Sequence, residues 1–412
     1  MSIMKRSYWF VVLLSLSVMV FTMGTAMAKE AQFGIVVPLT GPYGTYAEEM
    51  QRGAEIAAEE INASGGVLGK PVKIVVRDSE LNAGVALRKF KEMVQDDGIK
   101  TIGGTLSGGI STVVNEWACK NKALYMTFCH TSFPLGKEFC GYSFTSGIIP
   151  YQTGVALAKY SFENLGKSWM NISADYRWGH DQLAAWMVTS ENMGGKFLGN
   201  IYTPLGTRDF STYIPQIMAK KPDILVLSLF GTDLTSAIKQ FSEMGLTKKL
   251  KIVCPKTAMP IAKECGAAYD ENVYGAVTWY WTVQDYYPKA KKFVDTYTKK
   301  YNRPPDADAD SGYVGTMTLL EAMRHAGTVD DVDKLIQTLK GWVWQYNKGP
   351  ETFRPCDQVR TQSVFVVQGK GAKAKGWDVF DVIAEVPYWD TLETCENNAK
   401  NAPYGQVKLP GK

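Results

Sequence analysis

The chain has 412 residues, 45 Lys plus Arg against 41 Asp plus Glu, and a hydrophobic fraction of 45%. That length and apolar content suit two domain-sized cores rather than one. The near balance of charge, with no basic block outside the N-terminus, excludes nucleic acid as a partner.

Lys5 and Arg6 precede an apolar run over residues 8–21, and Ala26-Met27-Ala28 fits the small-x-small pattern of an export cleavage site. The run is about 14 residues, short of the roughly 20 that a spanning helix needs. A signal peptide over 1–28, cleaved after Ala28, is therefore expected. It leaves 384 residues with a net charge of +2. No Cys closely follows the run, so no lipid anchor is expected. No later stretch is apolar enough to cross a bilayer, and the product should be soluble and exported.

Short apolar runs then alternate with helical periodicity, the pattern of βαβ units and a mostly parallel sheet. Residues 33–37 read as the first strand, broken by Pro38, Thr40, Gly41 and Pro42. Over 47–61, Met50, Ala54, Ala57 and Ile61 fall three or four apart, with Glu48, Glu49, Arg52, Glu55 and Glu59 elsewhere. That spacing predicts a helix with one stripe on a sheet, ended by Gly65 and Gly66. Strands follow at 72–76, 101–103 and 123–126, with helices at 83–94 and from about 110. The cycle restarts after 146–151. It continues with strands at 169–173, 198–202, 224–229, 250–254 and 273–278, and helices near 179–193, 209–220 and 232–245.

Beyond Trp281 the pattern changes to helices near 288–301, 311–326 and 331–339, then a β-rich tail at 361–368 and 377–386. These segments have no sheet of their own to cover. They must pack back on the two earlier blocks, which implies several crossings and a hinge. A cleft at the C-terminal ends of the strands is where such folds place ligands. Trp279, Tyr280 and Trp281 are expected to pack the hinge, and Lys370, Lys373 and Lys375 to solvate a hairpin tip.

Exported cysteines are disulfide candidates. Near-neighbour pairing suggests Cys129 with Cys140, Cys254 with Cys265 and Cys356 with Cys395, leaving Cys119 over, although sequence cannot fix connectivity. Reactive chemistry is sparse. His130, His180 and His325 are not at metal-ligand spacing, and no CxxC, HExxH or GxSxG occurs. No enzyme activity, metal or cofactor is expected. The glycine-rich stretch 103–109 lacks the Gly-Lys-Ser/Thr ending of a phosphate loop. Ser107 and its neighbouring amides, at the start of a helix, could instead bind a carboxylate, or the glycines could serve only a tight turn.

The opening Ile35-Val36-Val37-Pro38-Leu39-Thr40-Gly41-Pro42-Tyr43-Gly44, the stretch Gly53-Ala54 through Ile61-Asn62-Ala63-Ser64-Gly65-Gly66-Val67-Leu68-Gly69, and Val76-Arg77-Asp78-Ser79 carry a resemblance. The chain resembles, from about residue 31 to about 330, the branched-chain amino acid-binding (Leu/Ile/Val-type) family of periplasmic solute-binding proteins. The resemblance implies an α/β fold of two Rossmann-like lobes, the type I periplasmic binding protein fold, with a multi-crossing hinge. Lobe 1 is expected at 29–148 plus about 279–345, lobe 2 at 149–278 plus about 346–390, and a C-terminal tail at 391–412. It also implies a periplasmic monomer that closes on a small ligand and delivers it to an ABC transporter permease in the inner membrane. A periplasmic sensing subunit on the same fold is the alternative, with a periplasmic enzyme behind it.

The ligand residues implied are Ser107 and Gly108 for the carboxylate, Thr131 with His130 in the next turn, and Tyr46 along the ligand's side chain. Trp178 and Phe230 would close from the second lobe. The family's amino acid binders place a carboxylate where this chain has Cys254-Pro255-Lys256-Thr257, and Lys256 cannot accept from an ammonium. Either Asp175 or Asp233 takes that pairing, or the ligand is an acid without an ammonium, aromatic or otherwise, or a neutral amide, or Lys256 points to solvent.

Overall fold

The computed structural model describes residues 30–132, 139–392, 394, 395 and 410. The expected signal peptide and most of the expected tail lie outside them. β1 (Ala31–Val37), β2 (Val72–Asp78), β3 (Thr101–Gly104), β4 (Leu124–Thr127) and β5 (Ser143–Thr145) form one parallel sheet in the order β2-β1-β3-β4-β5. It is interleaved with α1 (Gly44–Ala63), α2 (Ala83–Gln95) and α3 (Gly108–Asn121). Phe33, Ile35, Ile102, Leu124 and Met126 are wholly buried, as expected where helices cover both faces of a parallel sheet.

The second block opens with α4 (Pro150–Asn164) and runs through β6 (Ser168–Ala174), α5 (Arg177–Met193) and β7 (Lys196–Thr203). It continues through α6 (Ile214–Lys220), β8 (Ile224–Ser228), α7 (Thr232–Glu243), β9 (Lys251–Cys254), α8 (Met259–Cys265) and β10 (Val273–Val277). The chain then makes α9 (Ala290–Tyr301), α10 (Ala307–Ala326), α11 (Val332–Leu339) and a small ribbon of β11 (Val343–Trp344) with β12 (Glu351–Thr352). Finally β13 (Val364–Gly369) adds antiparallel to β10 and β14 (Phe380–Val386) antiparallel to β13, giving a second sheet ordered β14-β13-β10-β9-β8-β6-β7.

The chain thus passes between the sheets three times: before α4, after β10 and before β13. The return to the first sheet is fixed by α10 lying on α1. A Cβ on Gly53 would sit 2.0 Å from the Ala309 carbonyl, and one on Gly312 would sit 2.0 Å from that of Met50. The two backbones touch there, and no other residue fits. The crossings are tied by buried charge. The Arg360 side chain, 1% exposed, donates to Glu351 Oε2 at 2.8 Å and to the Ser146 carbonyl at 3.0 Å. Lys348 Nζ donates to the Thr278 carbonyl and to Gln362 Oε1, both at 2.9 Å. Burial pulls its ammonium below the usual lysine range. Each crossing, through Ser146, Thr278 or Gln362, is therefore held by one of these two cations.

Several sequence expectations need correction. Two helices, α4 and α8, and the short strand β5 escape the periodic reading. In α4 the residues Tyr151, Val155, Ala156, Leu157, Ala158 and Phe162 are all buried. A helix covered on most sides shows no polar stripe to mark its period. The cysteines pair as Cys119–Cys140 and Cys356–Cys395, and Cys129, Cys254 and Cys265 are buried thiols. Only the last of the three expected pairs forms. In parallel strands, Cys129 follows the C-terminal end of β4 while Cys140 precedes the N-terminal end of β5, so they lie at opposite edges of the sheet. Cys119, at the end of α3, returns to the edge that Cys140 occupies.

Candidate ligand-binding site

A cavity of about 340 Å³ opens between the sheets at the C-terminal ends of their strands. Its first wall includes Ser107, Gly108 and His130, and its second includes Arg177, Trp178, Phe230 and Lys256. That volume lies in the range of small-molecule sites.

The first wall is made by the turn after β3. Gly104 has φ +117 and Thr105, fully buried, has φ +60. A Cβ at Gly104 would meet the Val36 carbonyl at 2.4 Å, so only glycine lets β3 turn this close to β1. The Thr105 hydroxyl anchors the turn, lying 2.6 Å from both Ser111 Oγ and Tyr125 OH. α3 then starts at Gly108 with Ser107 at its N-cap, and the Ser107 hydroxyl makes no capping bond. The hydroxyl and the first amides of a 14-residue helix thus line the cavity with partial positive charge and no cationic side chain.

In the next turn the His130 ring is buried, with Nε2 3.0 Å from Thr153 Oγ1 and 3.4 Å from Gln182 Nε2. Burial, reinforced by Lys256, pushes its pKa well below the usual value, so the ring is neutral. Ser132 Oγ bonds Asp181 of α5, joining the two walls directly. Thr131 is buried behind Gly108, its backbone N–H donating to the Ile148 carbonyl at 3.0 Å, and does not line the cavity.

The second wall is aromatic and cationic. Trp178 meets His130 edge-on at 5.7 Å and stacks with Tyr176 at 6.1 Å. Its indole Nε1 is buried without a partner among the described residues. Phe230 lies 5.8 Å from Tyr43 and 4.8 Å from Tyr46. Lys256 points inward, not to solvent. Its Nζ lies 4.5 Å from the centre of the Phe230 ring and 3.2 Å from Asp308 Oδ1. Arg177 lines the same wall, with its Nε 3.7 Å from Asp181 Oδ2.

Of the residues expected from sequence, Ser107, Gly108, His130, Trp178, Phe230 and Lys256 border this cavity, whereas Tyr46 and Thr131 do not. Tyr43, one turn earlier, takes the place expected of Tyr46. Its hydroxyl bonds Tyr176 across the cleft, and burial pushes its pKa up to about 12. Asp175 and Asp233, the alternatives for an ammonium partner, are also absent from the cavity wall. Asp175 pairs with His180 at 2.8 Å, and Asp233 Oδ2 accepts from the Gly206 N–H at 2.9 Å. Sequence reasoning missed Tyr43, Tyr176 and Arg177 as wall residues. The signal lay in the motifs Gly41-Pro42-Tyr43-Gly44 and Asp175-Tyr176-Arg177-Trp178, each the turn between a strand and a helix.

Residues 30–375 match the family model described as periplasmic binding protein. The chain belongs to the periplasmic binding protein family. A Leu/Ile/Val-binding protein homolog of Brucella suis is 24% identical over 331 residues, covering 76% of this chain and 81% of that one. Among solved structures, an amino acid ABC transporter substrate-binding protein from Pseudomonas fluorescens superposes with a TM-score of 0.83 at 22% identity, covering 91% of this chain and 99% of that one. A solute-binding protein of an ABC transporter from Rhodopseudomonas palustris, solved with 3,4-dihydroxybenzoic acid, superposes with a TM-score of 0.77 at 20% identity, covering 87% and 97%. The fold of this periplasmic binding protein is the two-lobed type I architecture, and its cavity lies between the lobes.

Proposed function

We propose that this protein is the receptor of an ABC importer, and that it closes on a small aromatic carboxylic acid that carries no ammonium. The observation that carries this reading is the charge of the wall. Ser107 and the amides opening α3 face Lys256 and Arg177, and no Asp or Glu among the described residues borders the 340 Å³ cavity. A carboxylate finds hydrogen-bond donors on both sides. A ring would lie among Tyr43, Trp178 and Phe230, where offset and edge-on contacts are favourable.

In this reading the exported chain is a monomer cleaved after Ala28. Lobe 1 comprises 29–148 plus about 279–345 and lobe 2 comprises 149–278 plus about 346–390. Ligand lands first on Ser107, Gly108 and the His130–Thr131 turn. Closure about the crossings then brings Trp178, Phe230 and Lys256 over it and excludes water. The permease recognises the closed shape.

A thermal-shift screen tests it, because a ligand bound by the native state alone raises the melting temperature. Benzoate, hydroxylated benzoates and arylalkanoates should stabilise more than branched-chain amino acids do. Stabilisation by amino acids alone would favour the second reading, an amino acid receptor, which the Pseudomonas fluorescens and Brucella relatives support by name. In that case Asp308, beside Lys256, is the carboxylate in reach of an ammonium.

A further inference from the structure

We propose that Lys256 is a built-in substitute for a ligand ammonium: its Nζ, seated on Asp308, occupies the charge position an α-amino group needs and so tunes the site for acids that lack one. This deepens the reading above and rests on it. Lys256 follows β9 in the second sheet. Asp308 lies in the first turn of α10, which packs on α1 of the first sheet, so the pair spans the cleft. Asp306 caps that turn, its Oδ1 accepting from the N–H groups of Asp308 at 2.9 Å and Ala309 at 3.1 Å, which fixes where the Asp308 carboxylate points.

The geometry places the ammonium between ligand space and carboxylate. Lys256 borders both the 340 Å³ cavity and an adjoining void of about 20 Å³, whereas Asp308 borders only the void. The two side chains are 15% and 7% exposed, with Nζ 3.2 Å from Oδ1 and 4.5 Å from the Phe230 ring centre. Among the described residues that border these two spaces, Asp308 is the sole carboxylate. A zwitterion held at Ser107 would bring its ammonium beside that of Lys256, with the one bordering carboxylate among the described residues already paired. An unpaired ammonium next to a like charge in a closed cleft is strongly disfavoured. The void has room for about one water, too little for a second cation while Lys256 stays in place.

Calorimetry on the mature chain tests this with pairs that differ only by the α-ammonium: 3-phenylpropanoate against L-phenylalanine, and 4-methylpentanoate against L-leucine. The wild type should favour the acid of a pair. Lys256→Ala should shift the acid-to-amino-acid ratio toward the amino acid by about 10- to 100-fold, the range for gain or loss of a charged hydrogen bond. Lys256→Met, which keeps the length and apolar stem, controls for folding and should lose acid affinity without gaining the amino acid. Added ethylammonium should restore acid binding to Lys256→Ala, a rescue that a purely structural role would not allow. If the wild type binds acids but the ratio is unmoved in Lys256→Ala, or the wild type does not discriminate within a pair, this inference fails and the acid-receptor reading stands or falls separately. If the wild type binds no carboxylate in either pair or in the screen above, that reading fails and the inference with it.

Discussion

The hinge and the cleft are both buried and both polar, yet they are built in opposite ways. At the hinge, Arg360 and Lys348 are matched by Glu351, Asp310, Gln362 and the backbone carbonyls of Ser146 and Thr278, so that each crossing supplies one partner. In the cleft, Trp178 Nε1 is buried with no partner among the described residues, and the Ser107 hydroxyl caps nothing. Buried polar atoms ordinarily find partners, because leaving one unmatched costs about 1–3 kcal/mol. Dense charge pairing, with Glu351 Oε1 left only a 3.5 Å ion pair to Lys348, marks the part that must hold one shape. Open valences beside a cavity mark the part that waits for a guest.

The largest test of that contrast is Arg360→Leu. It removes the guanidinium from Glu351 and Asp310 in the interior, leaving them only Lys348 and Asn347, and urea unfolding should show a loss of about 3–5 kcal/mol. A loss under about 1 kcal/mol would mean that the hinge charges are ornamental. Trp178→Leu should do the reverse, weakening the acid found by the screen about 30-fold while moving the unfolding midpoint far less than Arg360→Leu does. Equal damage to stability and affinity would erase the distinction between the two regions.

His130 supplies a pH test. Its pKa is lowered in the folded state, so as pH falls below about 6.5 the unfolded chain takes up the proton first. Its contribution to stability is complete above that pH and declines on acidification by up to about 1.4 kcal/mol per pH unit. Glu49 and Asp306, whose pKa values burial raises, act in the opposite sense. They remain in His130→Gln, so the wild type should lose about 1–2 kcal/mol more than this variant between pH 6.5 and 5. Parallel pH profiles would show that the ring is not held neutral. The smallest effect belongs to Ser107→Ala, which should weaken the same acid by about fivefold, one neutral donor's worth, with no change in unfolding.

Much of the fold can be read along the chain because its signals are local. The stripe Met50, Ala54, Ala57 and Ile61 lies within α1, and the runs 224–229 and 250–254 contain β8 and β9. Ser107 was legible as a site candidate because it stands at the turn between a strand and a helix, and His130, Trp178 and Phe230 were legible through the family resemblance. What stayed hidden depends on contacts between distant segments. Which of Tyr43 and Tyr46 faces the cavity is decided by how α1 leaves its turn. That Lys256 faces Asp308 is decided by α10, some 50 residues later, packing on α1. The cysteine pairing follows from which edge of the sheet each half-cystine reaches, and proximity in sequence is blind to that.

The order in which the chain supplies its parts has a consequence for assembly. α1 cannot cover its glycine contacts until α10 exists, and β10 stays an open sheet edge until β13 arrives at Val364. Neither half can finish alone, and the contacts that complete both come from the last third of translation. Such non-local wiring slows folding. A chain so wired completes its compact form only after nearly all of it has been made.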